Sequence, residues 1–200
     1  PSKGSYRDGD KIIASQLGLV MIEGKVVKII PLSGRYAPQR GDTIIGKVVD
    51  IAMSAWRIEI NCAYSAMMSL AEATSSYIQR GADLTRFYDI GDFVVANITN
   101  VTSQKLVDVS MKGPGLRKLE GGLFIEVKSN KVPRIIGKQG SMVTMIKEAT
   151  NCRITVGRNG IVWISGEPQM ETIAIDAIKK IEKESHVSGL TDKIKTYLDK

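Results

Sequence analysis

Trp56, Ile58 and Ile60 alternate with Arg57 and Glu59, and Val107, Val109 and Met111 alternate with Asp108 and Ser110. A period of two places each apolar set on one face of an extended strand. The same criterion predicts five strands, over residues 43–51, 56–60, 64–68, 92–101 and 106–111. The segment SLAEATSSYIQRGADLTRFYDIG, between the third and fourth strands, is long enough for a short helix and a loop. Five strands with an insertion after the third is the layout of an OB-type barrel.

The flanking regions follow other rhythms. Residues 1–40 contain the short apolar runs KIIAS, LVMI and KVVKII, broken at Gly18 and Gly24 and closed by the loop PLSGRYAPQRGD. So few strands predict a small β unit that needs a neighbour to complete its core. GKVVKI (24–29) and GKVVDI (46–51) nearly match, and two strands that each begin at a glycine bend account for the echo.

In residues 121–200, LFIEV reads as a strand and KVPRII as a short helix beginning near Pro133. Ser141 is expected to cap a helix in which Met142, Met145, Ile146 and Ala149 recur at helical spacing. CRITV and IVWIS flank Asn159-Gly160, a hairpin signal. Pro168 opens a long amphipathic helix, and a short last helix is predicted near 191–198. The order is β-α-α-β-β-α. The predicted fold is therefore multidomain: a small N-terminal β domain (1–40), a five-stranded OB-type β-barrel (41–115) and an α+β domain (121–200).

Composition adds direction. The net charge of +7 favours a polyanionic partner. It is spread along the chain, with 15 Lys and Arg against 12 Asp and Glu in residues 1–120, and 13 against 9 thereafter. Cys62 and Cys152 lie far apart, with no CxxC pair and no neighbouring histidine. They read as small apolar residues, so neither a zinc site nor a disulfide is expected. No stretch reaches the ~18 apolar residues of a membrane span, and the polar start PSKGSYRDGD is unlike a signal peptide. A soluble, cytoplasmic protein is the expectation.

The stretch PRIIGKQGSMVTMI sets an exposed cationic loop between two short helices. Gly137 and Gly140 allow a tight turn and close approach by another backbone. The loop feeds a helix N-terminus, whose unpaired N–H groups favour an anion. Lys138 adds a cation beside Gln139, with Lys131 and Arg134 nearby. Ile135 and Ile136 anchor the loop, while Val132, Met142 and Ile154 offer an apolar floor for bases. Arg153 on the adjacent strand reaches toward base edges or phosphates. RIIGKQGSMVTMIKEATNCRITV, within the β-α-α-β-β-α order, resembles a KH domain, whose GXXG loop maps onto Gly137, Lys138, Gln139 and Gly140. The resemblance implies a clamp on about four single-stranded nucleotides. Its expected contacts are these four residues with Lys131, Arg134, Ile136, Arg153 and Ile154.

The segment from GDTIIGKV to LVDVSMK resembles the S-one type OB domain. That family usually shows aromatics and a histidine on the nucleic-acid face of its second and third strands. NCAYSAMM offers only Tyr64 there, and Trp56 leads an alternating apolar face and reads as core. Stacking is worth ~1–3 kcal/mol per base, so this barrel is expected to bind weakly and through charge. The candidates are Arg57, Tyr64, Arg80, Arg86, Lys105 and Lys112.

A β-rich leader, an S-one barrel and one KH domain, in that order over essentially all 200 residues, resemble the RNA-binding cap subunit of the archaeal exosome, the ribosomal-RNA-processing protein four family. The resemblance implies that the N-terminal unit docks onto a hexameric ring of RNase PH-type subunits, with three cap copies per ring. The chain would capture RNA 3′ ends and direct them to its partners for 3′-to-5′ degradation. An alternative is a transcription-associated factor of termination or antitermination type, although two KH copies are typical there. In polynucleotide phosphorylase the KH domain precedes the barrel. A scaffold with incidental RNA contacts is the plainest alternative.

Catalysis is not expected. His186, the one histidine, sits among Glu182, Lys183 and Glu184 as a surface residue. No Ser/His/Asp set, paired-carboxylate metal cluster, Walker loop or GxGxxG is present. No cofactor and no metal are anticipated.

Overall fold

The computed structural model describes residues 4–15, 17–24, 26–76, 78–79, 81–187 and 189–198. The chain forms two compact units, residues 1–35 and 36–200.

The first unit consists of two antiparallel hairpins. Strand β1 (Ser5–Asp8) pairs with β2 (Lys11–Ala14), and β3 (Gly18–Glu23) pairs with β4 (Val26–Pro31). β1 was not predicted, because SYRD is polar throughout. Gly24 turns the second hairpin with a φ of +60°. Ile29 is buried, whereas Leu19, Val20 and Ile22 are 59%, 63% and 70% exposed. Consecutive exposed apolar residues mean that the β3–β4 hairpin has water on both faces of β3.

In the second unit a six-stranded sheet curls on itself. Its order is β10 (Lys118–Leu119), β8 (Phe93–Val101), β5 (Thr43–Ala52), β6 (Ala55–Glu59), β7 (Ser65–Ser69) and β9 (Val107–Ser110). An additional β8–β9 pairing closes five of these strands into a barrel of OB type. Neighbours run antiparallel except β7 and β9, which are parallel. Each strand lies within two residues of its predicted limits. The short β10, which extends the β8 edge, was not predicted. The insertion after β7 holds helix α1 (Leu70–Ala73) and a 3-10 turn at Leu84–Arg86. Ile44, Val48, Trp56, Ile58, Met68 and Ile98 fill the barrel. Trp56 is core as expected, its indole N–H donating to the Tyr88 carbonyl at 2.9 Å. Gly46 is required by a close approach, since a Cβ there would lie 2.3 Å from Ile58 Cγ2.

The C-terminal part follows as β11 (Leu123–Glu126), α2 (Val132–Ile136), α3 (Ser141–Thr150), β12 (Arg153–Val156), β13 (Ile161–Ser165), α4 (Pro168–Lys183) and α5 (Leu190–Leu198). The sheet order is β11-β13-β12, so β12 is an edge strand. Ile135, Ile146, Ile164, Ile178 and Ile181 form the core between sheet and helices. Both cysteines are free, Cys152 buried and Cys62 half-buried.

Barrel and C-terminal domain are joined by a dense seam. Ile45 and Val95, on the outer face of the barrel, pack with Leu119 and Trp163. Phe93 stacks on Phe124 with ring centroids 3.8 Å apart. The turn between β12 and β13 plugs into the barrel backbone. Asn159, 1% exposed, accepts from the Ile45 amide at 3.2 Å and donates to the Ile45 and Ile60 carbonyls at 2.7 and 3.1 Å. Arg158 donates its amide to the Thr43 carbonyl at 2.9 Å and pairs with Asp42 at 3.6 Å. A Cβ on Gly157 would lie 2.8 Å from the Ile45 nitrogen, so only glycine permits this approach. No helix among the described residues is long and apolar enough to cross a membrane.

Candidate nucleic-acid interface

The glycine loop joins α2 to α3. Gly137, Gln139 and Gly140 all have positive φ, at 78°, 53° and 83°. This backbone path projects Lys138 and Gln139 outward, and both are exposed. The two glycines have different reasons to be glycine. A Cβ on Gly137 would lie 2.6 Å from the Met142 nitrogen, whereas one on Gly140 meets nothing nearer than Thr144 Oγ1 at 4.0 Å. Space over Gly140 is open for another molecule's backbone.

Ser141 does not cap α3 as expected. Gly140 occupies the N-cap position in a left-handed conformation, Ser141 is the first helical residue, and no side-chain hydrogen bond caps the helix. Ser141 has helical dihedrals, φ −57° and ψ −40°, whereas a capping serine is extended. The Ser141 amide donates to the Lys138 carbonyl, and no side chain caps the rest of the first turn; the helix dipole adds partial positive charge at the same end. The loop is a concentration of hydrogen-bond donors beside an ammonium group, suited to an anionic oxygen.

The remaining expected residues divide by exposure. Lys131 ends a 3-10 turn before α2 and is half-buried, as is Ile136. Arg134 is exposed but donates from Nη2 to the Val187 carbonyl at 3.2 Å, which ties α2 to the α4–α5 connection. Arg153 is exposed at the start of edge strand β12, against which α3 packs. The apolar floor is more covered than expected. Val132 and Met142 are buried and Ile154 is 4% exposed, because all three belong to the core.

On the barrel, Arg57 is drawn to Asp50 at 3.0 Å and Arg86 to Asp83 at 3.6 Å, so both expected arginines are partly neutralised. Arg80 lies outside the described residues. Tyr64 is exposed at the start of β7, and Lys105 is exposed with a φ of +65°. Lys112 lines a cleft of about 450 Å³ with Arg40, Glu72, Asn97, Thr99 and Ser110. Arg40 was not singled out from the sequence. The available signal was its position in QRGD, a cation and a glycine immediately before the first barrel strand.

Comparison with known proteins accounts for both parts of this unit. Residues 123–180 match the KH domain family, and residues 35–82 match the S1 domain of RRP4. The exosome complex component Rrp4 of Pyrococcus furiosus is 42% identical over 200 residues, covering 98% of this chain and 76% of the relative. That of Picrophilus torridus is 41% identical, covering 100% and 86%. Against the Rrp4 of Methanobrevibacter smithii the identity is 40% over 98% of this chain, which spans 65% of that relative's length. A crystal structure described as an exosome complex RNA-binding protein superposes with a TM-score of 0.74 at 30% identity, covering 83% of this chain and 96% of that one. The chain belongs to the Rrp4 family of exosome complex components.

Proposed function

We propose that this chain is a non-catalytic, cytoplasmic RNA-binding cap subunit of an exosome. It captures single-stranded RNA and directs the 3′ end into a hexameric ring of RNase PH-type subunits, with three cap copies per ring. The KH loop does the gripping, through Gly137, Lys138, Gln139 and Gly140 with Lys131, Arg134, Ile136, Arg153 and Ile154. The barrel contributes weakly through Tyr64, Lys105 and Lys112. Residues 1–40 dock to the ring, 41–115 form the S1 domain and 121–200 the KH domain.

One observation carries this reading: Lys138 and Gln139 stand exposed on a left-handed loop at the uncapped start of α3, beside the open face of Gly140. The apolar β3–β4 hairpin supports the docking role, since a surface of this kind marks a protein interface. That the matched relatives are exosome components favours this reading over a transcription factor.

Two experiments test it. Gly140→Asp puts a carboxylate where the phosphate is expected and should lower affinity for a single-stranded RNA oligonucleotide at least tenfold. Unchanged affinity would favour a scaffold. Val20→Glu with Ile22→Glu should prevent co-purification with RNase PH-type subunits while RNA binding persists. Co-purification at the wild-type level would remove the hairpin from the docking surface.

A further inference from the structure

The free positive charge of the barrel lies away from the expected arginines. Arg57 is held by Asp50 at 3.0 Å, Arg86 by Asp83 at 3.6 Å and Lys118 by Asp92 at 2.6 Å. Arg40 and Lys112 form no ion pair among the described residues, and both line the 450 Å³ cleft. The polar groups around them are spare donors. The Asn97 carboxamide has no hydrogen-bond partner among the described residues. Ser110 is 4% exposed, and its Oγ accepts from the Lys112 amide at 3.0 Å. Its own proton goes to no acceptor among the described residues. The Ser110 hydroxyl therefore keeps its proton to donate to an anionic oxygen in the cleft. Asn97 and Ser110 face each other across β8 and β9, so the backbone ladder fixes their spacing.

We propose that this cleft is a second phosphodiester subsite for single-stranded RNA. Arg40 and Lys112 supply charge, and Asn97 and Ser110 supply hydrogen bonds. It rests on the RNA-binding reading above and adds to it a barrel contact away from Arg57 and Tyr64. Glu72 brings the acceptor that a ribose 2′-hydroxyl would need.

The test uses the full chain and a 20-nucleotide single-stranded RNA, with affinity measured against salt. Arg40→Ala with Lys112→Ala should flatten the log–log slope by about 0.7, the value for one phosphate of a single strand. That corresponds to about a 5-fold loss at 0.1 M salt relative to 1 M. Both side chains are exposed, so the thermal transition should not move. If wild type binds, Gly140→Asp weakens it and the double variant keeps the wild-type slope, the cleft is not a subsite and the KH reading stands. The same result with an acidic peptide bound at the cleft would assign it to a protein. If wild type fails to bind, both readings fall. A DNA oligonucleotide of the same sequence should bind more weakly, and Glu72→Ala should narrow that gap; an unchanged gap would remove Glu72 from the subsite.

Discussion

Replacing Asn159 with alanine should uncouple the two halves of the residue 36–200 unit. The side chain makes three hydrogen bonds to barrel backbone, at 3.2, 2.7 and 3.1 Å. Each is worth about 1 kcal/mol net. Ile45 and Ile60 are fully buried, so water does not replace the lost partner. A buried group left unpaired adds about 1–3 kcal/mol. The expected loss is about 4–6 kcal/mol, or about 8–24 °C in Tm for a unit of this size. Asn159→Asp should cost at least as much, because a carboxylate cannot donate to the Ile45 and Ile60 carbonyls and places charge against both. Calorimetry gives the total, and amide hydrogen exchange localises it. The Ile45 amide, whose acceptor is Asn159 Oδ1, should exchange much faster in Asn159→Ala. A loss below about 1 kcal/mol, or an unchanged Ile45 amide, would refute the reasoning.

The loop glycines should separate by denaturant unfolding. Gly137→Ala drives a Cβ into Met142 and should cost about 2–3 kcal/mol, while Gly140→Ala meets open space and should cost about 1 kcal/mol for its left-handed backbone. Equal costs would contradict the packing described. Lys138→Ala should lower the salt slope of RNA binding by about 0.7 with little change in base preference, and a sequence-selective loss would oppose a phosphate contact. Burial, the largest single influence, pushes the Asp92 carboxyl up, but the hydrogen bond with Lys118, the bond from the Asp89 amide and the Lys118 charge together outweigh it and hold the group below the usual range. The Asp92 contribution is then present above about pH 3.9 and disappears as pH falls through the lower folded value. Lys118 is raised, first by its bond to Asp92, so its contribution is present below about pH 10.4 and lost as pH climbs through the folded value. Asp92→Asn should flatten both limbs of the stability-against-pH curve, and a curve still steep in acid would place the effect elsewhere.

The barrel was legible because its strands alternate, and alternation reports one buried face. The seam breaks that rule. Ile44 and Ile45 are both fully buried, as are Val94 and Val95 to within 2%, because one of each pair faces the barrel interior and the other the C-terminal domain. Ile45 and Val95 pair directly across β5 and β8. The run Val162, Trp163, Ile164 is likewise buried on both faces of its strand. Adjacent apolar pairs in otherwise alternating strands were thus the signal of an interface. Asn159 gave no such signal, since Asn-Gly reads locally as a turn and its three barrel partners lie about a hundred residues away in sequence. Charges were legible only as counts. Which cations are spent on Asp42, Asp50 or Asp92 depends on tertiary neighbours, whereas Arg86 meets Asp83 three residues earlier in the chain.

The seam bears on how two modest sites make one useful grip. If the KH loop and the Arg40–Lys112 cleft both hold phosphates, a strand bound at one meets the other at an effective concentration set by their connection. A flexible linker would spread that concentration over many geometries and lower it. Asn159, the Phe93–Phe124 stack and the Ile45–Trp163 cluster instead restrict the two sites to one separation. The advantage appears only for RNA long enough to span that separation, so Asn159→Ala should weaken long oligonucleotides while sparing those that fill the KH loop alone. Equal weakening of short and long RNA would mean that the seam supports the fold of the KH domain and does not couple two sites.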